Sequence, residues 1–178
     1  MTGTASDAAG NTATVTVSGL DVDLTKPAVT FSGNAGAYSV DQMVAITCTA
    51  TDGLSLIDAA HTTCPGASGP AYIFTLGINT LTATATDKAG NVATASATFA
   101  VAADETSLCA LTRRFVSRAN LARELCAVLR VAELAREHGL VNARRALLNG
   151  YARAIKEIRG RYITPEDADV LIALAARI

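Results

Sequence analysis

Four cysteines, two histidines and a scatter of aspartates are the side chains in this 178-residue sequence with the most capacity for chemistry. The cysteines fall as two closely spaced pairs, Cys48 with Cys64 and Cys109 with Cys126. Such spacing predicts two local disulfides, against the alternative of buried free thiols, and places the chain in an oxidising, extracellular setting. His61 and His138 both lie beside loop signals and are too few for a histidine metal site unless carboxylates or cysteines join them, so each reads as a surface histidine. Asp52 and Asp58, at the ends of the segment DGLSLID, form an acid pair, but no nucleophile, clamp or enclosed cleft is encoded beside them. The glycines of Gly33-Asn-Ala-Gly-Ala37 precede a strand signal and not a helix, which excludes a phosphate cradle. No catalytic residue, metal or cofactor is expected, and the chain does not read as an enzyme.

A repeated turn is the most informative pattern. Residues 4–17 read TASDAAGNTATVTV and residues 84–97 read TATDKAGNVATASA, an offset of 80 residues. Each copy enters Asp-x-Ala-Gly-Asn from one alternating run and leaves by another, as a hairpin does. Asp7 and Asp87 are expected to accept hydrogen bonds from turn amides. Gly10 and Gly90 supply the positive φ of the turn, which Asn11 and Asn91 complete. Calcium binding is the sharper alternative, but one carboxylate per turn falls short of a calcium ligand set. Only one copy of the 80-residue unit is whole, so residues 1–24 are expected to be a remnant hairpin and linker that is mobile or leans on a neighbour, because an isolated hairpin is marginal in water.

Hydrophobic periodicity divides the rest at about residue 103. Before it, period-two alternation predicts strands at Ala28–Phe31, Met43–Thr51, Tyr72–Phe74, Thr80–Thr86 and Val92–Val101. Val44, Ile46, Cys48 and Ala50 share one face of the second strand, and Ala93, Ala95, Ala97, Phe99 and Val101 share one face of the last. Thr47, Thr49, Thr94, Ser96 and Thr98 point to water. Two such faces closing on each other make a β-sandwich over residues 25–103. The order VAITCTATD, TTCPGASGPAYIF, GINTLTATATDKAGN resembles the bacterial immunoglobulin-like repeats of secreted actinobacterial hydrolases and adhesins, over residues 2–102. It departs from the antibody pattern: there is no tryptophan, and Cys48 and Cys64 are too close for a bridge between the antibody's B and F strands.

Beyond residue 103 the spacing becomes helical. Apolar stripes run through Leu108, Leu111 and Phe115; Leu121, Leu125, Val128, Leu129 and Ala132; Leu147, Leu148, Tyr151, Ile155 and Ile158; and Ala168, Leu171, Ile172 and Ala175. Gly139 and Gly160 sit at C-terminal cap positions, Thr164-Pro165 opens the fourth helix, and Ser117 or Asn120 is expected to cap the second. Short links make the four helices an antiparallel bundle over 104–178. Chain reversal near Arg118 sets Cys109 opposite Cys126. Leu129-Arg-Val-Ala132, Gly139, Ala146-Leu147, Tyr151, Ile155, Gly160 and Ile163-Thr164-Pro165-Glu166 resemble the FIMAH-type helical domain that closes many secreted bacterial enzymes and immunoglobulin-like repeat proteins. The resemblance implies an extracellular module without catalytic residues.

Charge follows the same division. Residues 1–105 carry two basic and nine acidic groups, net −7, and residues 106–178 carry 13 and 7, net +6. The basic half reads as a solvated face; nucleic-acid binding through Arg113, Arg114, Arg118, Arg144, Arg145 and Arg153 lacks interleaved aromatics and is not expected. No apolar run reaches the roughly 18 residues of a membrane span, and the residues after Met1 do not form a secretion signal, which is expected to lie elsewhere. The function expected is that of a secreted or cell-surface accessory module, a spacer whose partners are upstream domains of the same protein. The alternative is binding of an extracellular glycan. That would use an exposed aromatic platform, for which Tyr38 in the polar GNAGAYS stretch is the candidate.

Overall fold

The computed structural model describes residues 1–19 and 22–178 and contains eight strands followed by four helices. Strands β1 (Thr2–Ser6) and β2 (Thr12–Thr16) pair antiparallel in a sheet of their own, and every residue of both is exposed. Part of the linker expected within residues 1–24, namely 20 and 21, lies outside the described residues. A second sheet has the order β3–β5–β6, with β3 at Ala28–Ser32, β5 at Met43–Thr51 and β6 at Ala67–Pro70. A third has the order β4–β8–β7, with β4 at Ala37–Ser39, β7 at Gly77–Thr86 and β8 at Val92–Ala102. Strand β3 lies against β7 and β8, so the inward faces of these two sheets meet. Val44 and Ile46 of β5, Ala83 and Ala85 of β7, and Phe99 and Val101 of β8 are buried between them. The threonines of β5 and β8 alternate outward as their spacing predicts.

Two features of the β half differ from the sequence reading. Strand β4 pairs parallel with β8, Tyr38 opposite Val101, and its three residues are too few for alternation to reveal. The strand expected at Tyr72–Phe74 is instead a turn of 3₁₀-helix at Ala71–Ile73, and the pairing lies earlier, at β6. Gly66-Ala-Ser-Gly-Pro70 reads as a loop, yet the missing side chain of Gly66 is what lets the segment come up against β5. A Cβ on Gly66 would stand 2.6 Å from the Ile46 carbonyl oxygen, nearer than any real Cβ approaches backbone.

Helices α1 (Glu105–Phe115), α2 (Ala119–Glu137), α3 (Val141–Ile158) and α4 (Pro165–Ala175) pack consecutively, and α4 returns to α1. The four predicted stripes supply their buried faces, with Leu108, Leu111, Leu129, Ile155 and Leu171 at the centre. The caps are local. Asp104 and Ser107 exchange hydrogen bonds at the start of α1, Thr164 accepts from the Asp167 amide at the start of α4, and Gly139 and Gly160 adopt φ of 69° and 72° after α2 and α3. The expected Ser117 or Asn120 cap of α2 is absent. Arg118 holds the cap position without a side-chain bond, because Ser117 turns away to donate to the Tyr162 carbonyl. One polar pair crosses the interior, the hydroxyls of Thr112 and Tyr151 at 2.6 Å, and burial pushes the Tyr151 phenol well above its ordinary pKa.

The two halves join with almost no slack. Only Ala103 and the capping Asp104 separate β8 from α1. Tyr72 meets Phe115 edge to face at 5.6 Å, and Arg114 donates to the Asp41 carbonyl at 3.0 Å. Among the described residues no helix is long and apolar enough to cross a membrane.

Candidate functional site

Both cysteine pairs are bonded. The Cα atoms of Cys48 and Cys64 are 5.3 Å apart and those of Cys109 and Cys126 5.1 Å, inside the usual range. Cys64 follows Thr63, whose backbone exchanges both hydrogen bonds with Thr84 of β7. The first disulfide therefore ties β5 to a segment laid along the opposite sheet. The second crosses from α1 to α2. Two disulfides suit an oxidising environment.

The two Asp-x-Ala-Gly-Asn turns share one geometry. Asp7 Oδ1 accepts from the amides of Ala9 and Asn11, and Oδ2 from the Asn11 side chain at 2.7 Å; Gly10 has φ of 89°. Asp87 accepts from the Asn91 amide and side chain at 2.8 Å each, with Gly90 at 91°. The turns differ in surroundings. Asp7 is exposed, while Asp87 is buried and stands in a group with Asp23 and Asp52, one oxygen of each lying within 4.8 Å of the others. Asn91 ties the group together by donating to the Asp23 carbonyl. Asp52 Oδ1 gathers the amides of Leu54, Ser55 and Leu56, and Leu56 takes a positive φ of 67° so that its carbonyl can receive the Lys88 amide. Three carboxylates supply only part of the six to eight oxygens calcium takes, and Asp23, Asp52 and Asp87 each accept hydrogen bonds from the surrounding turns. What the arrangement does is lock three loops at one end of the β half.

Burial would raise the Asp87 carboxyl, and the Asp23 charge adds to that, but hydrogen bonds from Asn91 and Ala89 outweigh both and hold it below its ordinary value. Asp23, bonded by Ser55 and Thr25, is also lowered. A carboxylate depressed on folding contributes stability above its unfolded pKa of about 3.9, and that contribution disappears as pH falls through the folded value. The melting temperature is therefore expected to hold from pH 7 to about 5 and to fall below about pH 4. Asp87→Asn should melt lower at pH 7 and lose less on acidification. A parallel fall in both proteins, followed by circular dichroism, would assign the acid sensitivity elsewhere.

The remaining candidates take separate places. Asp58 does not join Asp52; it caps the 3₁₀ turn at Ala59–His61 and meets His61 Nδ1 at 2.6 Å. His61 is exposed, as is His138 at the end of α2. Tyr38 is not the exposed platform expected of it. It is 7% accessible, its ring meets Phe99 edge to face at 5.8 Å, and its hydroxyl receives the Ala35 amide and faces the Gly33 carbonyl. The reason is β4: parallel pairing with β8 turns Tyr38 inward and leaves no ring face for a sugar.

One buried charge escaped the sequence reading. Glu105, 1% accessible, meets Arg144 Nε of α3 at 2.6 Å through Oε1, while Oε2 faces Arg136 Nε of α2 at 3.4 Å without a hydrogen-bond donor. Its position just after a capping aspartate reads as an ordinary acid at a helix N-terminus, and nothing in the local spacing marks it as buried. Arg144 is thereby committed to structure, as is Arg114 to the Asp41 carbonyl. Comparison with protein-family models, with curated proteins and with solved structures finds no match for this chain.

Proposed function

We propose that the chain is a non-catalytic spacer and interaction module of a secreted or cell-surface protein, an immunoglobulin-like sandwich over residues 25–103 carrying a small helical bundle over 104–178. In this reading it holds an upstream catalytic or adhesive domain at a set distance and orientation. The observation that carries it is the joint. A linker of Ala103 and Asp104, the Tyr72–Phe115 contact and the Arg114–Asp41 bond leave the two halves little freedom to swing. Independent modules joined by a flexible linker would need none of these. The two disulfides and the turn-locking aspartates support the same reading, since they stiffen each half without forming a cleft for chemistry.

The test is rotational diffusion measured by amide ¹⁵N relaxation. The two halves should tumble with one correlation time, and Phe115→Ala combined with Arg114→Ala should split it into two, at a cost of about 2–5 kcal/mol, most of it from the lost aromatic packing. Separate tumbling in the unaltered protein would sink the spacer reading.

A further inference from the structure

The helical half carries arginines for which, among the described residues, the fold provides no carboxylate partner, although Arg123 donates to the Asn120 side chain and Arg118 and Arg161 stack on Tyr162. A groove of about 630 Å³ runs between α1 and α2, with Arg113 on one wall and Arg123 and Arg130 on the other. Beyond Arg123 it continues past Asn120 into a second groove of about 660 Å³ walled by Arg118 and Tyr162. Arg161 lines an adjoining groove that shares Tyr162. All five arginines are exposed, and among the described residues none pairs with a carboxylate. The acids nearby are mostly spoken for: Glu105 is held by Arg144 and Arg136, and Glu133 faces Arg136 and the Thr106 hydroxyl. Among the described residues lining the track, Glu124 is the acid without an ion pair or hydrogen bond of its own.

The shape and chemistry of this track define what would fill it. From Arg118 to Arg130 along α2 is twelve residues, or about 18 Å at the helical rise, so the track is long, shallow and open. That suits a linear polymer better than a small molecule, which needs an enclosed pocket. Guanidinium forks pair with carboxylate or sulfate oxygens two at a time. Nucleic acid is a poorer fit. Binding of single strands relies on aromatic rings for bases to stack on, and the one ring here, Tyr162, already has Arg118 and Arg161 stacked on it at 4.9 Å each. The acidic β half, net −5 over residues 1–103 with two basic and seven acidic groups, would repel any polyanion and steer it onto the helical half.

We propose that this track, running from the α1–α2 groove round the start of α2 to Tyr162, binds a linear acidic polysaccharide, with Arg113, Arg118, Arg123, Arg130 and Arg161 pairing its carboxylate or sulfate groups. The reading does not depend on the spacer role. It also relocates any glycan contact from the buried Tyr38 to the opposite half of the chain.

The test uses the intact, disulfide-bonded chain titrated with a polyuronate oligomer, a sulfated glycan oligomer, a neutral glucan oligomer and single-stranded DNA, observed by amide chemical shifts and calorimetry. At least one acidic glycan should bind and shift α2 amides between Arg118 and Arg130, weakening as salt rises, and which of the two binds tighter distinguishes carboxylate from sulfate as the natural group. Arg123→Glu with Arg130→Glu should reduce affinity about tenfold or more, and so should Arg118→Glu with Arg161→Glu at the other end, whereas Arg153→Glu on α3, off the track, should change it less than about twofold. Thermal melts of each variant confirm folding. Failure of both acidic glycans to bind, equal binding of the neutral glucan, an equal loss in Arg153→Glu, or tighter binding of DNA than of either glycan would each overturn the proposal.

Discussion

Replacing Glu105 with alanine is expected to destabilise the helical half by about 3 kcal/mol, at the lower end of the range for breaking a buried ion pair. The size follows from where the charges are left. Glu105 is the first residue of α1 and the one acidic group that α1 offers to both α2 and α3, through Arg136 and Arg144. Removing it opens a void at the helix start and strands two guanidinium groups. Arg144 is 23% exposed and Arg136 47%, so both can swing partly into water, and this keeps the loss from reaching the upper end. Glu105→Gln preserves the shape and one acceptor but not the charge, and should cost less. A double-mutant cycle with Arg144→Ala checks the assignment. If the pair is the cause, the double variant is less destabilised than the sum of the two single ones by about 1 kcal/mol or more. Strict additivity would mean that the loss comes from the void alone.

Removing the Cys109–Cys126 bond, by alanine at both positions to avoid a free thiol, is expected to cost about 3 kcal/mol, as closure of a loop of this length does in the chain-entropy model. Helix α1 is only eleven residues long, below the length at which a helix holds itself in water. The disulfide and Glu105 fasten it at two points one turn apart, and the interior face, Leu108 and Leu111, does the rest. Loss of the bond should therefore accelerate amide hydrogen exchange chiefly in residues 105–115, with α3 and α4 less affected. An equal loss of protection throughout the helical half, or none, would show that the bond does not serve to hold this helix. The two lesions should also couple, since each leaves the other as the remaining anchor of α1.

Much of this molecule was legible in one dimension because the signals are local. A helix stripe repeats every three or four residues, a strand face every two, and a cap or Asp-x-Ala-Gly-Asn turn closes within five, so neighbours in sequence determine them. That is why β5, β8 and the four helices lie where their spacing places them, and why the cysteine pairs, separated by 16 and 17 residues, were assignable, Cys48–Cys64 from close spacing and Cys109–Cys126 also from chain reversal near Arg118. The features that required tertiary structure all depend on distant residues. Tyr38 is buried because β4 pairs with β8, more than sixty residues on. Strand β6 forms beside β5 because Gly66, just before it, lets the chain pass against the Ile46 carbonyl of β5 where a Cβ would not fit. Asp87 acquires Asp23 and Asp52 as neighbours, Glu105 acquires arginines from two other helices, and the arginines of α1, α2 and the α3–α4 link line a run of adjoining grooves. Local periodicity determines which side of an element is apolar. Which charges are then buried, paired or left facing water is decided by what packs against that element, and no spacing along the chain encodes it.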